Sequence, residues 1–229
     1  MEATMEILDA QAHRHLRLRP VSPSLQHFVV VVPSEFPSAA AICPILFAKD
    51  PETGRFYAGA LFGFKAGENL LTDSENGVAP FRPLEQQREG FFISGDSIAI
   101  DRSSPRISEM AGDPLFEEDG GPTQATRQIQ RILGLLHAGL AEGERFIATL
   151  TGHKLIEPVD ISLRFDDGER VDLVGLYTVS LDRLHALDDV AVLSLFRSGD
   201  LQLAYCIAGS LKQVGMLADR RNRLLTRGA

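Results

Sequence analysis

The longest regular pattern in this chain is helical. Ile129, Ile132, Leu133, Leu136, Leu140, Ile147 and Leu150 recur at three- and four-residue steps and so line one helical face. Pro122 and Thr123 suit the start of that helix and Gly152 its end. Gly134, Gly139 and Gly143 each cost about 1 kcal/mol relative to Ala in a helix interior. Their presence predicts either close packing against another element or a break near Gly143.

Upstream the period is that of strands. His27 to Val32 is a β-branched apolar run closed by Pro33, which predicts a buried strand, and Ser34 to Ala41 predicts a short helix with Ser34 as its cap. Strands are expected at Pro44 to Ala48, Phe56 to Phe64 and Asn69 to Leu71, the first two separated by turn chemistry at Asp50 to Gly54. Gly59 and Gly63 within the second mark a bulge or a close backbone approach. Pro80 to Pro83 predicts a loop, and Phe91 to Ile93 with Ser97 to Ile100 a hairpin around Ser94-Gly95-Asp96.

Beyond the long helix, Ile161 to Phe165 turns at Asp166-Asp167-Gly168 and returns over Val171 to Val179, a second hairpin. Leu181 to Leu187 and Val190 to Phe196 predict short helices, Leu201 to Tyr205 a strand, and Leu211 to Leu225 a closing helix. Strands gathered in runs with helices segregated later predict an α+β fold. The expected architecture is a single domain over residues 25–229, a mostly antiparallel β-sheet packed against the long helix and shorter C-terminal helices. Residues 1–24, punctuated by Pro20 and Pro23, read as a loosely ordered lead.

Composition narrows the function classes. A chain of 229 residues, 44% hydrophobic and 24% charged, can bury a core without disulfides or metal. A formal charge of −8 argues against a nucleic-acid binder, which draws affinity from clustered Lys and Arg. The one basic cluster, Arg220, Arg221, Arg223 and Arg227, reads as charge offsetting a helix C-terminus. Cys43 and Cys206 lie in apolar contexts without a motif and read as buried reduced thiols. The acidic start is unlike a signal peptide, and no apolar run is long enough to span a bilayer; the expected location is cytoplasmic.

No local motif specifies a reaction. His13-Arg14-His15 alternates as two ligands on a strand would, but nothing adjacent completes a metal site, so a solvated basic lead is expected and no metal. His137 flanks the apolar helix face and reads as a core or boundary residue. Gly59 to Phe64 lacks both the dinucleotide fingerprint and the phosphate-loop lysine, and no cofactor is expected. Glu117-Glu118-Asp119 precedes the long helix, where negative charge is favoured without function.

Several ordered blocks carry a resemblance. Glu35-Phe36-Pro37 with Ala39-Ala40 is followed by Pro44-Ile45 with Phe47-Ala48, then by Gly63-Phe64 with Gly67-Glu68-Asn69-Leu70 and Asp73. Leu115-Phe116 with Glu118-Asp119-Gly120 and Pro122, Leu155-Ile156-Glu157-Pro158, and Leu201 to Tyr205 come later, with His13 and Leu16 to Pro20 in the lead. Over roughly residues 5 to 218 these blocks resemble the bacterial SapC family. The resemblance implies a link to bacterial surface layers, carried in the family's name, and no established catalytic residues. Members encoded beside halogenase-like and cupin-like proteins imply a partner role in peptide or protein tailoring. The chain departs from the family pattern in a less aromatic Phe81 to Phe91 region and in Cys206-Ile207-Ala208, which replaces a more polar stretch.

Two readings follow. In the first the chain is an accessory or adaptor protein that binds a protein or peptide partner; its apolar closing helix fits pairing across a homodimer and equally well packing on its own sheet. In the second it is a peptide- or small-molecule-modifying enzyme with a spatially assembled carboxylate site drawn from Glu35, Glu68, Asp73 and Asp119, acids that fall within the resembling blocks. The same acids also fit caps and turns. Whether the chain is an enzyme is not decided by its residues, and the absence of a motif favours the first reading.

Overall fold

Strands dominate the first half of the chain and helices the second, with one 29-residue helix between them. The computed structural model describes residues 5–22, 24–71 and 80–227. In chain order come β1 (Met5–Ile7), β2 (Arg17–Leu18), β3 (Phe28–Val30), a 3-10 turn at Pro33–Glu35, α1 (Phe36–Ala40), β4 (Ile45–Lys49) and β5 (Phe56–Leu61). Then follow α2 (Leu84–Gln87), β6 (Phe91–Ser94), β7 (Ser97–Asp101), β8 (Ile107–Ser108), β9 (Asp113–Pro114) and α3 (Gln124–Gly152). The chain ends with β10 (Ile156–Pro158), β11 (Ile161–Arg164), β12 (Arg170–Leu173), β13 (Leu176–Val179), α4 (Leu181–His185), α5 (Asp189–Ser198), α6 (Asp200–Ser210) and α7 (Gln213–Arg227). The fold class is α+β, as the pattern predicts. Within it the chain divides into two compact units, Met1–Ser24 with Arg82–Ala138, and Leu25–Phe81 with Gly139–Ala229.

The first unit is built from short pieces. β1, β7 and β6 form one antiparallel sheet, with the expected hairpin turning at Gly95-Asp96 and Ser94 opposite Ser97. Gly95 sits at φ +58°, the left-handed backbone such a turn requires. β8, β2 and β9 form another sheet. Thr123 caps α3 by accepting the Thr126 N–H, and both threonine hydroxyls donate to the Leu115 carbonyl. Arg106, almost fully buried, donates to the carbonyls of Gln87, Glu89 and Arg19. Burial lowers its proton affinity, and a guanidinium carries enough N–H donors to serve three carbonyls at once. His13, expected in a solvated lead, is also buried: its Nδ1 accepts the Asp9 N–H at 2.9 Å, which leaves Nε2 to donate to Glu6 at 3.0 Å.

The second unit holds a five-stranded antiparallel sheet in the order β10-β13-β4-β5-β3. Ile45, Leu46 and Phe47 of β4 have no exposed surface, so this central strand is covered on both faces. Phe146 of α3 meets Phe47 and Phe36 at ring separations of 6.4 and 6.0 Å, which docks the helix on the sheet. The C-terminal end of α6 is tied to β4 through Ser210, whose hydroxyl accepts the Ile45 N–H at 2.8 Å. Asp200, buried at the start of α6, receives both Arg145 Nη atoms at 3.0 Å and the Ser198 hydroxyl at 2.8 Å. α3 runs unbroken through Gly143, and close packing accounts for Gly139 alone of its glycines, where a Cβ would stand 2.7 Å from Val32; Gly134 has open space and Gly143 an ordinary contact with Pro33.

Four expectations are corrected. Leu201 to Tyr205 is helical, because the buried positions Asp200, Ala204, Ile207 and Ser210 follow a helical step that the Leu-x-Leu-x-Tyr alternation hides. Asn69 to Leu71 is a turn: the Asn69 side chain accepts the Leu71 N–H, and the Leu70 N–H reaches the Phe62 carbonyl. The return over Val171 to Val179 divides at Gly175, φ +75°, so β12 pairs with β11 while β13 joins the large sheet between β10 and β4. His137 is exposed on α3.

Candidate functional site

The acids singled out from the sequence are engaged in local structure. Glu35 is buried, and its carboxylate accepts the Val32 N–H at 3.1 Å, capping the turn that leads into α1. Glu68 accepts the Phe64 N–H at 2.7 Å and pairs with Arg221 Nε at 3.0 Å. Asp119 is exposed in the first unit and accepts the Gly121 N–H at 2.9 Å, the turn role its composition suggests. Asp73 lies outside the described residues. Among the described residues no group of three or more His, Cys, Asp or Glu side chains is placed to hold a metal ion.

Arg221 departs from the expected solvated tail. Its guanidinium is buried, stacks at 4.0 Å on the Phe165 ring, and pairs with Glu169 as well as Glu68. Lys65, 3.1 Å away, and Arg221 hold the Glu169 carboxyl below the usual glutamate range. This cluster ties α7 to the β11–β12 hairpin and to the Lys65–Glu68 turn. Burial pushes the Cys43 thiol up to about 12 and raises that of Cys206; both are free thiols, Cys43 buried and Cys206 half-buried.

A groove of about 950 Å³ lies in the second unit, and it was not foreseen as a site. Its walls arise from three sequence features. Gly59 leaves room for the Phe28 ring to lie across the sheet, since a Cβ there would meet ring atoms at 2.4 Å. Phe28 then meets Tyr57 edge to face at 6.0 Å. From α3 come Gly139 and Gly143, short positions beside Leu140 and Ile147. Leu140 was expected on the buried helical face but is 45% exposed, because the space before it is the groove. Phe56 closes one end and meets Tyr177 at 4.9 Å, with the Lys49 ammonium 5.0 Å from the Phe56 ring centre.

Charge is confined to the rim. Arg55 and Glu144 pair at 3.4 Å, both largely exposed, so the pair stabilises little by itself. Asp50 accepts the Thr53 N–H at 2.7 Å, the Thr53 hydroxyl at 2.8 Å and the Glu52 N–H at 3.1 Å, and these bonds hold its carboxyl below the usual range. The Tyr57 phenol is pushed up by partial burial and by the Asp50 charge. Among the described residues the lining holds no histidine, cysteine, serine or lysine. An apolar, aromatic interior with a sparse charged rim suits the binding of apolar side chains. The signal for it lay in Gly59, expected as a bulge or a close approach, and in Gly139 and Gly143, expected as close packing or a break, although nothing local paired them.

Comparison with known proteins adds one finding. A family model described as SapC matches residues 8–217. No curated protein and no solved structure matches the chain. No single helix among the described residues is long and apolar enough to cross a membrane.

Proposed function

The chain belongs to the SapC family, and from that premise we propose that it is an accessory or adaptor protein whose groove in the second unit receives part of a protein or peptide partner. One observation carries the reading: the groove is lined by Phe28, Phe56, Tyr57, Leu140 and Ile147, and the ionisable groups at its rim are taken up by one another or by their own turn. Aromatic anchors that are apolar and rigid are the side chains on which binding energy concentrates. The carboxylate-site enzyme has less behind it, since Glu35, Glu68 and Asp119 each hold a backbone N–H. A surface-layer or peptide-tailoring setting belongs to the same proposal, as does a cytoplasmic location.

The test uses Gly143→Leu. A Cβ at this position meets only Pro33 at ordinary contact distance, so the added side chain extends into the groove. Replacing a helical glycine also gains about 0.5–1 kcal/mol of helix propensity, so loss of fold would not explain loss of binding. Wild-type protein recovers a reproducible stoichiometric partner from its native host, seen by native mass spectrometry, and Gly143→Leu recovers less than about a tenth as much, a loss of about 1.4 kcal/mol in affinity. Equal recovery by both would overturn the groove as the docking place.

A further inference from the structure

Among the described residues β3 is an edge strand. It pairs with β5 on one side, and the register Phe28↔Leu61, Val29↔Ala60, Val30↔Gly59 fixes which backbone groups are used. The Val31 N–H donates to the Ala58 carbonyl, and the Phe62 N–H to the His27 carbonyl. His27, Val29 and Val31 therefore turn their N–H and C=O groups toward β5, and Phe28 and Val30 turn theirs away, because hydrogen-bonded pairs alternate in an antiparallel ladder. The outward groups of Phe28 and Val30 meet no hydrogen-bonding partner among the described residues. Both residues line the groove. The strand carries no proline and no charge between Phe28 and Val32, the devices that usually blunt an exposed edge.

The rim adds a sign. Among the described residues Asp50 and Glu144 are the acids of the lining; Arg55 pairs with Glu144 and Lys49 lies against the Phe56 and Tyr177 rings, which leaves Asp50 as the rim charge without an ion-pair partner.

The geometry points to strand addition: the groove takes an extended peptide segment that pairs with the outward backbone groups of Phe28 and Val30, places apolar side chains against Tyr57, Leu140 and Ile147, and carries a lysine or arginine toward Asp50. This rests on the adaptor reading and names the form of the partner segment. Pairing through the backbone supplies affinity, while every second side chain of the ligand enters the groove and supplies selectivity.

The probe is a fluorescein-labelled, end-capped peptide, Arg-Thr-Val-Phe-Val-Thr, followed by anisotropy with the full chain. Strand addition expects N-methylation of the peptide backbone to weaken binding at least tenfold at every second residue and less than twofold between them. Amide exchange of Phe28 and Val30, fast in the free protein while Val29 and Val31 are protected, slows at least tenfold in the complex. A glutamate in place of the arginine weakens binding severalfold at low salt. Binding insensitive to N-methylation, unchanged exchange at Phe28 and Val30, or no binding at millimolar peptide would each overturn strand addition. The adaptor reading fails separately, by partner recovery that Gly143→Leu leaves intact.

Discussion

The two compact units reach stability by different means. In the second, Phe36, Phe47 and Phe146 form the centre of one continuous apolar cluster that extends through Leu195, Ile207 and Leu217. In the first, the strands are two to five residues long, and buried polar side chains stitch loops together: Arg106 to three carbonyls, Thr123 and Thr126 to Leu115, His13 between Asp9 and Glu6. Short strands leave many backbone groups outside ladders, and each buried one needs a partner. A long sheet satisfies its own backbone and leaves its side chains free to pack. The open groove lies in this second unit, bordered by Gly139 and Gly143 of α3.

The sharpest break of this contrast is Phe146→Ala. It removes a fully buried ring from the helix–sheet contact, and a loss of about 4 kcal/mol is expected from urea unfolding monitored by circular dichroism. Arg106→Met tests the other unit. It keeps the side-chain bulk but leaves three carbonyls without a donor, at an expected cost of about 3 kcal/mol by the same measurement. A cost under about 1 kcal/mol would mean water replaces the guanidinium, and the stitching account of the first unit would fail.

Two glycines of α3 separate the units more finely. Gly134 has no neighbour within 4 Å of a built Cβ, so Gly134→Ala raises stability by about 1 kcal/mol. Gly139→Ala places its methyl 2.7 Å from Val32, and the resulting overpacking outweighs the same propensity gain, for a net loss of about 1 kcal/mol. Thermal melts of the two variants move in opposite directions.

The smallest effect is one of pH. Glu169 has a folded pKa lowered by Lys65 first and then Arg221, so its contribution is fully present above the ordinary glutamate value of 4.5 and is lost as pH falls through the lower folded value. Glu169→Gln therefore flattens the acid limb of the stability curve below pH 4.5 and changes its slope little at neutral pH. An unchanged acid limb would show that the exposed pair is screened by solvent.

Much of the secondary structure was legible because the controlling forces are local. The long helix, the β6–β7 hairpin and the β11–β12 turn follow from residue spacing and from glycines at positive φ. Misreadings fell where two periods compete. Leu201, Leu203 and Tyr205 alternate as a strand would, but Asp200 anchored by Arg145 begins a helix there. Of the acids proposed as a site, Glu35 and Asp119 are engaged with backbone two or three residues away, a role their neighbours in sequence already suggested.

Residue order by itself determined the α+β class, the membership marked by the SapC blocks, and the positions where backbone must come close. Only the tertiary structure decided that Gly139 and Gly143 border one groove with Phe28, whose ring lies over Gly59, that Arg221 is buried between Glu68 and Glu169, and that Phe28 and Val30 leave an edge unpaired among the described residues. The reason is range. Propensity, capping and turn chemistry act within a few residues, whereas a cavity or an open strand edge exists only between segments separated by a hundred residues along the chain, as Phe28 is from Gly139.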